Sequence, residues 1–312
     1  MDQLKEISFL GLEIWILITI LAAVAQTLRS LVQKKMIPVL GNTGASYIRF
    51  SYAVPFAWLW VLAYQFLSGI NLPDTNLVFW WWLSAASLMQ VLFTIFLIKL
   101  FSHRSFAAGT AFSKTEVLQA AIFEALILGA VASIFTGTAI LLGAIAVVML
   151  SLAKANLTRS NIITTLTSGQ TVIGLLSGAT LGLSTVFFKA AVISLDGSDW
   201  LLSAGYTGAM AVTLQTICMG AWMYFSSARG ELRLSFVHWR SSLTAGLYGA
   251  IATASWFTAF TLYAVAPVRA VGQIELLFTL GVSIFYFKEK VNRIEATSIL
   301  LLVISIIMIL ID

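Results

Sequence analysis

The chain has 312 residues, 60% of them apolar and 10% charged, with 18 Lys and Arg against 13 Asp and Glu for a net charge of +5; its mean hydropathy is +0.96. Soluble domains carry about 25% charged residues, so this composition excludes a water-soluble globule, and so small a cationic excess argues against a nucleic-acid binder. A single cysteine, Cys218, and two histidines, His103 and His238, exclude an internal disulfide and a multi-cysteine zinc site, and argue against a histidine metal cluster.

The N-terminal MDQLKEISFLGLEIW has no basic region and no small-residue cleavage site before its apolar run, so the run is expected to be an uncleaved first span. A hydrocarbon core of roughly 30 Å needs about 20 apolar residues in a helix. Ten such stretches follow in order: 11–33, 44–67, 77–101, 105–130, 136–152, 168–194, 200–225, 241–264, 268–287 and 294–311. Each is too long, and too lacking in alternation, for a barrel strand. The expected fold class is an all-α membrane protein.

Basic residues gather in alternate connections: Lys34, Lys35, Lys99, Arg104, Lys154, Arg159, Arg229, Arg233, Arg240, Lys288, Lys290 and Arg293 fall on one side, against Lys5 and Lys189 on the other. By the positive-inside rule both termini are expected outside the cytoplasm, in a multi-pass protein of a bacterial inner membrane. Connection 1–2 carries Lys34 and Lys35, whereas connection 6–7 carries Asp196 and Asp199. Residues 1–156 and 165–312 are therefore expected to form two five-helix repeats inserted in opposite senses, an architecture that sets binding sites at the midplane. An offset of 159 residues lays AAGTAFSKTEVLQ on APVRAVGQIELLF and carries Glu116 onto Glu275, Lys114 onto Gln273 and Thr110 onto Arg269.

Charged residues within spans cost about 2.5 to 3.5 kcal/mol each on insertion scales and face cavities or partners. The candidates for substrate binding or coupling are Lys114 and Glu116 in the fourth span, and Arg269, Gln273 and Glu275 in the ninth. At 100° per residue Lys114 and Glu116 point about 200° apart, which keeps them from sharing a cavity, so one is expected to look elsewhere. The expected arrangement has Glu116 and Glu275 flanking a central cavity, with Lys114 and Arg269 as counter-charges. The competing reading makes the same residues structural ion pairs. Glu124 lies two turns beyond Glu116. Arg49 and Lys189 are near span ends and are expected to snorkel, and the loop residues His103, Arg104, His238 and Arg240 are assigned no role.

Most of the ten tryptophans, Trp80, Trp81 and Trp82 among them, fit an interfacial belt. Trp256, near the centre of the eighth span, is the exception and a candidate to stack on substrate. Gly174, Gly178 and Gly182 make one bare face for close packing. Pro55 predicts a kink in the second span, and Pro267 a first-turn proline in the ninth.

These features, with APVRAVGQIELLFTLGVSIFYFKEKVNRIEA leading into the last span, resemble the drug/metabolite transporter superfamily and its EamA-type members. Glu289 is similar to the acidic residue that follows the penultimate span of an EamA unit, whereas the first half has Ala130 at that place. The resemblance implies a ten-helix carrier of small organic solutes that works by alternating access, driven by a proton gradient or by exchange. No phosphate-binding GxxxxGK[ST] loop supplies ATP energy. A lipid-modifying intramembrane enzyme would need an activated nucleophile, and Ser113 and Ser184 have no evident base; a channel is the third possibility. The expectation is a non-enzymatic transporter with no cofactor or metal, whose partners are a small molecule and membrane lipid. The mixed charges favour a zwitterion such as an amino acid.

Overall fold

The computed structural model describes residues 8–9, 12–101, 113–154, 169–195, 199–278 and 293–311. A short antiparallel rung, β1 (Ser8–Phe9) on β2 (Leu12–Glu13), precedes the helices. These are α1 (Ile14–Ser51), α2 (Ala53–Ser68), α3 (Leu77–Phe101), α4 (Glu116–Leu128), α5 (Ile134–Lys154), α6 (Gly169–Ile193), α7 (Trp200–Phe225), α8 (Arg229–Val237), α9 (Trp239–Leu262), α10 (Val265–Gly272) and α11 (Arg293–Leu310). Four described stretches are long and apolar enough to cross a membrane: Ile14–Ser68, Leu77–Leu97, Thr171–Ile193 and Arg293–Leu310. Helices α7 and α9 are of similar length but less apolar, because their buried positions are rich in Gly, Ala, Ser and Thr. Large side chains such as Leu59, Leu126, Ile134 and Ile217 lie mostly exposed, the condition of a lipid-facing surface. An integral membrane protein fits these observations.

The chain divides into two compact units, Met1–Val91 with Phe187–Tyr263, and Leu92–Val186 with Ala264–Asp312. In the first unit Phe79, Leu83, Phe188, Leu202, Tyr206 and Phe257 build the core, with the Phe188 and Phe257 rings 4.8 Å apart. Asp199 starts α7 by accepting from the Leu202 N–H at 2.6 Å, an N-cap that satisfies an orphan donor. In the second unit α5 packs on α11 through Ala146, Val147, Leu302 and Ile306, and Ser305 Oγ donates to the Ala139 carbonyl at 2.8 Å.

The helix breaks differ in place from the sequence expectation. Lys34 and Lys35 sit within α1 rather than in a connection, because nothing there opposes a helix and Lys is a good helix former. The break comes at Gly41 (φ 73°, ψ 174°), a conformation that glycine alone adopts without strain. Pro38, which cannot donate to the Lys34 carbonyl, weakens the turn before it. Pro55 acts as expected: its ring would clash with the Ser51 carbonyl of a continuous helix, and the helix is interrupted at Tyr52. The connection after α7 holds the short helix α8, which the span count passed over because α8 is not apolar enough to register.

Candidate functional site: a crossed pair of ion pairs

The second unit brings together five of the six candidate residues. Ser113 is helical, a turn follows at Lys114 and Thr115, and α4 begins at Glu116; in the ninth span a turn at Gln273 separates α10 from helical residues 274–278. The 159-residue offset that carries Lys114 onto Gln273 thus carries one interruption onto the other. Turns of this kind aim side chains away from the directions a straight helix allows.

Across these two breaks the charges pair in a crossed pattern. Lys114 Nζ donates to Glu275 Oε1 at 2.9 Å, and Arg269 Nη2 donates to Glu116 Oε1. The 200° separation of Lys114 and Glu116 assumed an unbroken helix; with the turn at Lys114 and Thr115 both side chains reach the 265–278 segment, and that expectation is corrected. The two pairs differ in burial. Arg269 and Glu116 side chains are 10% and 3% exposed, Lys114 and Glu275 28% and 16%. Removing one member of a buried pair leaves an uncompensated charge at a cost of about 3–5 kcal/mol, whereas pairs open to solvent contribute about 0–1 kcal/mol.

Gln273 joins the buried pair. Its Nε2 donates to Glu116 Oε1 at 3.4 Å, an orientation dictated by charge, since a flipped amide would set oxygen against carboxylate. Gln273 is buried and its Oε1 has no hydrogen-bond partner among the described residues. A buried acceptor left open in this way costs about 1–3 kcal/mol unless a donor is supplied.

Two further features fix the geometry. Glu124, buried on α4, accepts from the Val265 N–H at 2.7 Å and the Ala266 N–H at 3.0 Å. Pro267 follows in the first turn of α10, as expected, and lacks an N–H, so one carboxylate serves both free donors of that helix start. Sequence reading noted Glu124 only by position. Its signal was an acidic residue facing the start of another helix, which needs the tertiary pairing to be seen. At α6, a Cβ at Gly178 would lie 2.9 Å from the Ser113 carbonyl and one at Gly182 would lie 3.2 Å from the Ala120 nitrogen. Two members of the glycine face on α6 thus admit the interrupted segment itself.

Trp256 belongs to the first unit. Its Nε1 donates to Gln26 Oε1 at 3.0 Å and its ring stacks on Phe260. Farther along the same α1–α9 seam, buried Arg29 runs past Gly249, where a Cβ would lie 3.6 Å from Arg29 Cδ and 2.9 Å from the Arg49 carbonyl. Arg49 rests its guanidinium 4.6 Å from the Phe50 ring centroid. Lys189 donates to the Tyr263 carbonyl at 2.7 Å, a protein contact where snorkelling was expected. A cavity of about 320 Å³ in this unit is walled by apolar residues including Phe56, Trp60, Leu247 and Ile251, and none of the six candidates lines it. Among the described residues no three His, Cys, Asp or Glu side chains converge. Glu289, His103 and Arg104 lie outside the described residues.

No protein-family model matches the sequence, and no curated protein matches it. Solved structures do: a crystal structure of a protein aligns with a TM-score of 0.68 over 94% of this chain and 94% of its own, at 12% identity. At that identity the likeness speaks for the fold alone.

Proposed function

We propose that the chain is a secondary transporter that moves a small organic solute, an amino acid or related metabolite above all, across the membrane by alternating access with proton coupling or exchange. The observation that carries this reading is the crossed ion-pair cluster at two interrupted helices, in a chain whose described helices include several of spanning length. Charge within a membrane span is retained where it meets ions or substrate, and interrupted spans are where carriers hold them. The matching interruptions at Lys114 and Gln273 support two repeats of opposite sense within ten spans, and with them the kinship to EamA-type drug/metabolite transporters.

Within this reading the two pairs divide the work. The pair of Arg269 and Glu116 is the fixed part, holding α10 to α4. Lys114 and Glu275 are the exchangeable part: a zwitterion inserts its carboxylate against Lys114 and its ammonium against Glu275, replacing one ion pair by two. Gln273 Oε1 offers the ammonium a further acceptor. Both termini lie outside the cytoplasm of a bacterial inner membrane, and the protein acts without a cofactor.

A thermal-shift screen of the purified protein against amino acids and related metabolites tests this reading, because a ligand of the folded state raises apparent stability by mass action. At least one zwitterion is expected to raise the Tm of the wild type and to leave that of Lys114→Gln unchanged. Equal stabilisation of the two proteins would remove Lys114 from the site.

A further inference from the structure

The short helix α8 has two faces of opposite character. Its inner face is docked: Leu232 packs on the cluster of Tyr47, Phe50, Met219, Met223 and Ala228, and the Ser235 carbonyl accepts from Tyr52 Oη at 2.9 Å. Glu231 is turned inward as well. Its Oε2 accepts from the Gly44 N–H at 2.9 Å, just past the break at Gly41, so it caps the helical segment that follows the break. The space it occupies is supplied by glycine, since a Cβ at Gly41 would lie 2.3 Å from the Glu231 carboxyl carbon.

Glu231 is the sole acid between Arg229 and Arg240, and with it spent as a cap the outer face holds no negative charge. That face carries exposed Arg229 and Arg233 beside exposed Phe236 (56%) and Val237 (60%), and the first turn of α9 adds exposed Trp239 (49%) and Arg240. Two of the guanidiniums are already positioned on rings: Arg229 lies 4.4 Å from the Tyr224 centroid and donates to its hydroxyl at 3.2 Å, and Arg240 lies 5.5 Å from the Trp239 centroid.

We propose that the outer face of α8, continued by the first turn of α9, binds the headgroups of anionic phospholipids, with Arg229, Arg233 and Arg240 taking the phosphates while Phe236, Val237 and Trp239 enter the acyl boundary. The chemistry matches on both counts. Guanidinium forks fit phosphate oxygens, and a basic helix with aromatic and aliphatic side chains beside the charges lies in the plane of a membrane interface. A soluble anion or an acidic protein would satisfy the arginines but leave Phe236 and Val237 in water. The site adjoins the break in α1 through Glu231 and Gly44, so lipid held there steadies that break. This assignment rests on the membrane location of the chain and is independent of what the chain transports.

Native mass spectrometry of the full chain released from mixed phosphatidylglycerol and phosphatidylcholine nanodiscs tests it. The wild type is expected to retain phosphatidylglycerol in preference to phosphatidylcholine. Each arginine exchanged for Gln lowers that preference roughly fivefold, in line with about 1 kcal/mol per basic residue near an anionic surface. The single change Arg233→Glu, at an exposed position, serves as a second arm should the Gln variants fail to fold, and should abolish the preference. Retention of phosphatidylglycerol by Arg233→Glu at the wild-type level, equal retention of both lipids by the wild type, displacement of the lipid by millimolar inorganic phosphate, or a dimer that disappears on Arg233→Glu would each overturn the assignment.

Discussion

Glu124 Oε1 receives the Val265 N–H at 2.7 Å, and through this contact a side chain of α4 closes the start of α10. Its other oxygen takes Ala266. Glu124→Gln keeps one acceptor oxygen and turns an NH2 toward a backbone donor, so a loss of about 1–3 kcal/mol is expected, and Glu124→Ala, which strands both buried donors, costs more. Thermal unfolding in detergent measures the order. Equal stability of wild type and Glu124→Ala would show that the contact is incidental.

The two ion pairs should separate experimentally. Arg269→Gln strands the Glu116 carboxylate in a buried site and is expected to cost about 3–5 kcal/mol, whereas Lys114→Gln, in a pair only half-buried, is expected to cost less. Binding should show the reverse order, with substrate affinity lost in Lys114→Gln and retained by whatever fraction of Arg269→Gln folds. Matching stability losses in the two variants would mean that the pairs share one role.

Gly178→Ala sets a methyl group 2.9 Å from the Ser113 carbonyl, a backbone atom that cannot turn aside. Overpacking of this kind costs about 1–3 kcal/mol, and the strain falls on the interrupted segment that carries Lys114. Reduced Tm together with weakened substrate binding is expected. Gly230→Ala, on α8, where a Cβ meets open space, is the control. Indistinguishable Tm values for the two would remove the packing argument.

Trp256 hydrogen-bonds to Gln26 within the first unit. Trp256→Phe keeps most of the ring and removes the donor, so a stability loss of about 1 kcal/mol is expected with substrate affinity unchanged. A fall in affinity without loss of Tm would instead place the indole against the substrate.

What was legible in the sequence depended on the range of the signal. Apolar length is a local property, and where the apolar runs are described they are helical, four stretches being long enough to cross a membrane. So do the effects of Pro55 and Pro267, whose missing N–H acts within one turn. The charged residues of the fourth and ninth spans could be singled out because each is costly on its own. Which cation meets which carboxylate was not determined, because the crossed pairing rests on the turns at Thr115 and Gln273, and neither carries a breaker that marks them. Glu124 and Glu231 escaped for a related reason: an N-cap supplied from another segment has no local pattern. The roles of Arg29 and Gln26 likewise depend on the α9 seam.

The most direct measurement is uptake into proteoliposomes under an imposed pH gradient, using the metabolite that most stabilises the purified protein. Wild-type vesicles are expected to accumulate it above equilibrium and to lose the accumulation when the gradient is collapsed. The variant Glu275→Gln, which leaves the fixed pair of Arg269 and Glu116 intact, should show no gradient-driven uptake when incorporated to the same level. Wild-type accumulation by Glu275→Gln would contradict the role given to the exchangeable pair and, with it, the crossed cluster as the coupling site.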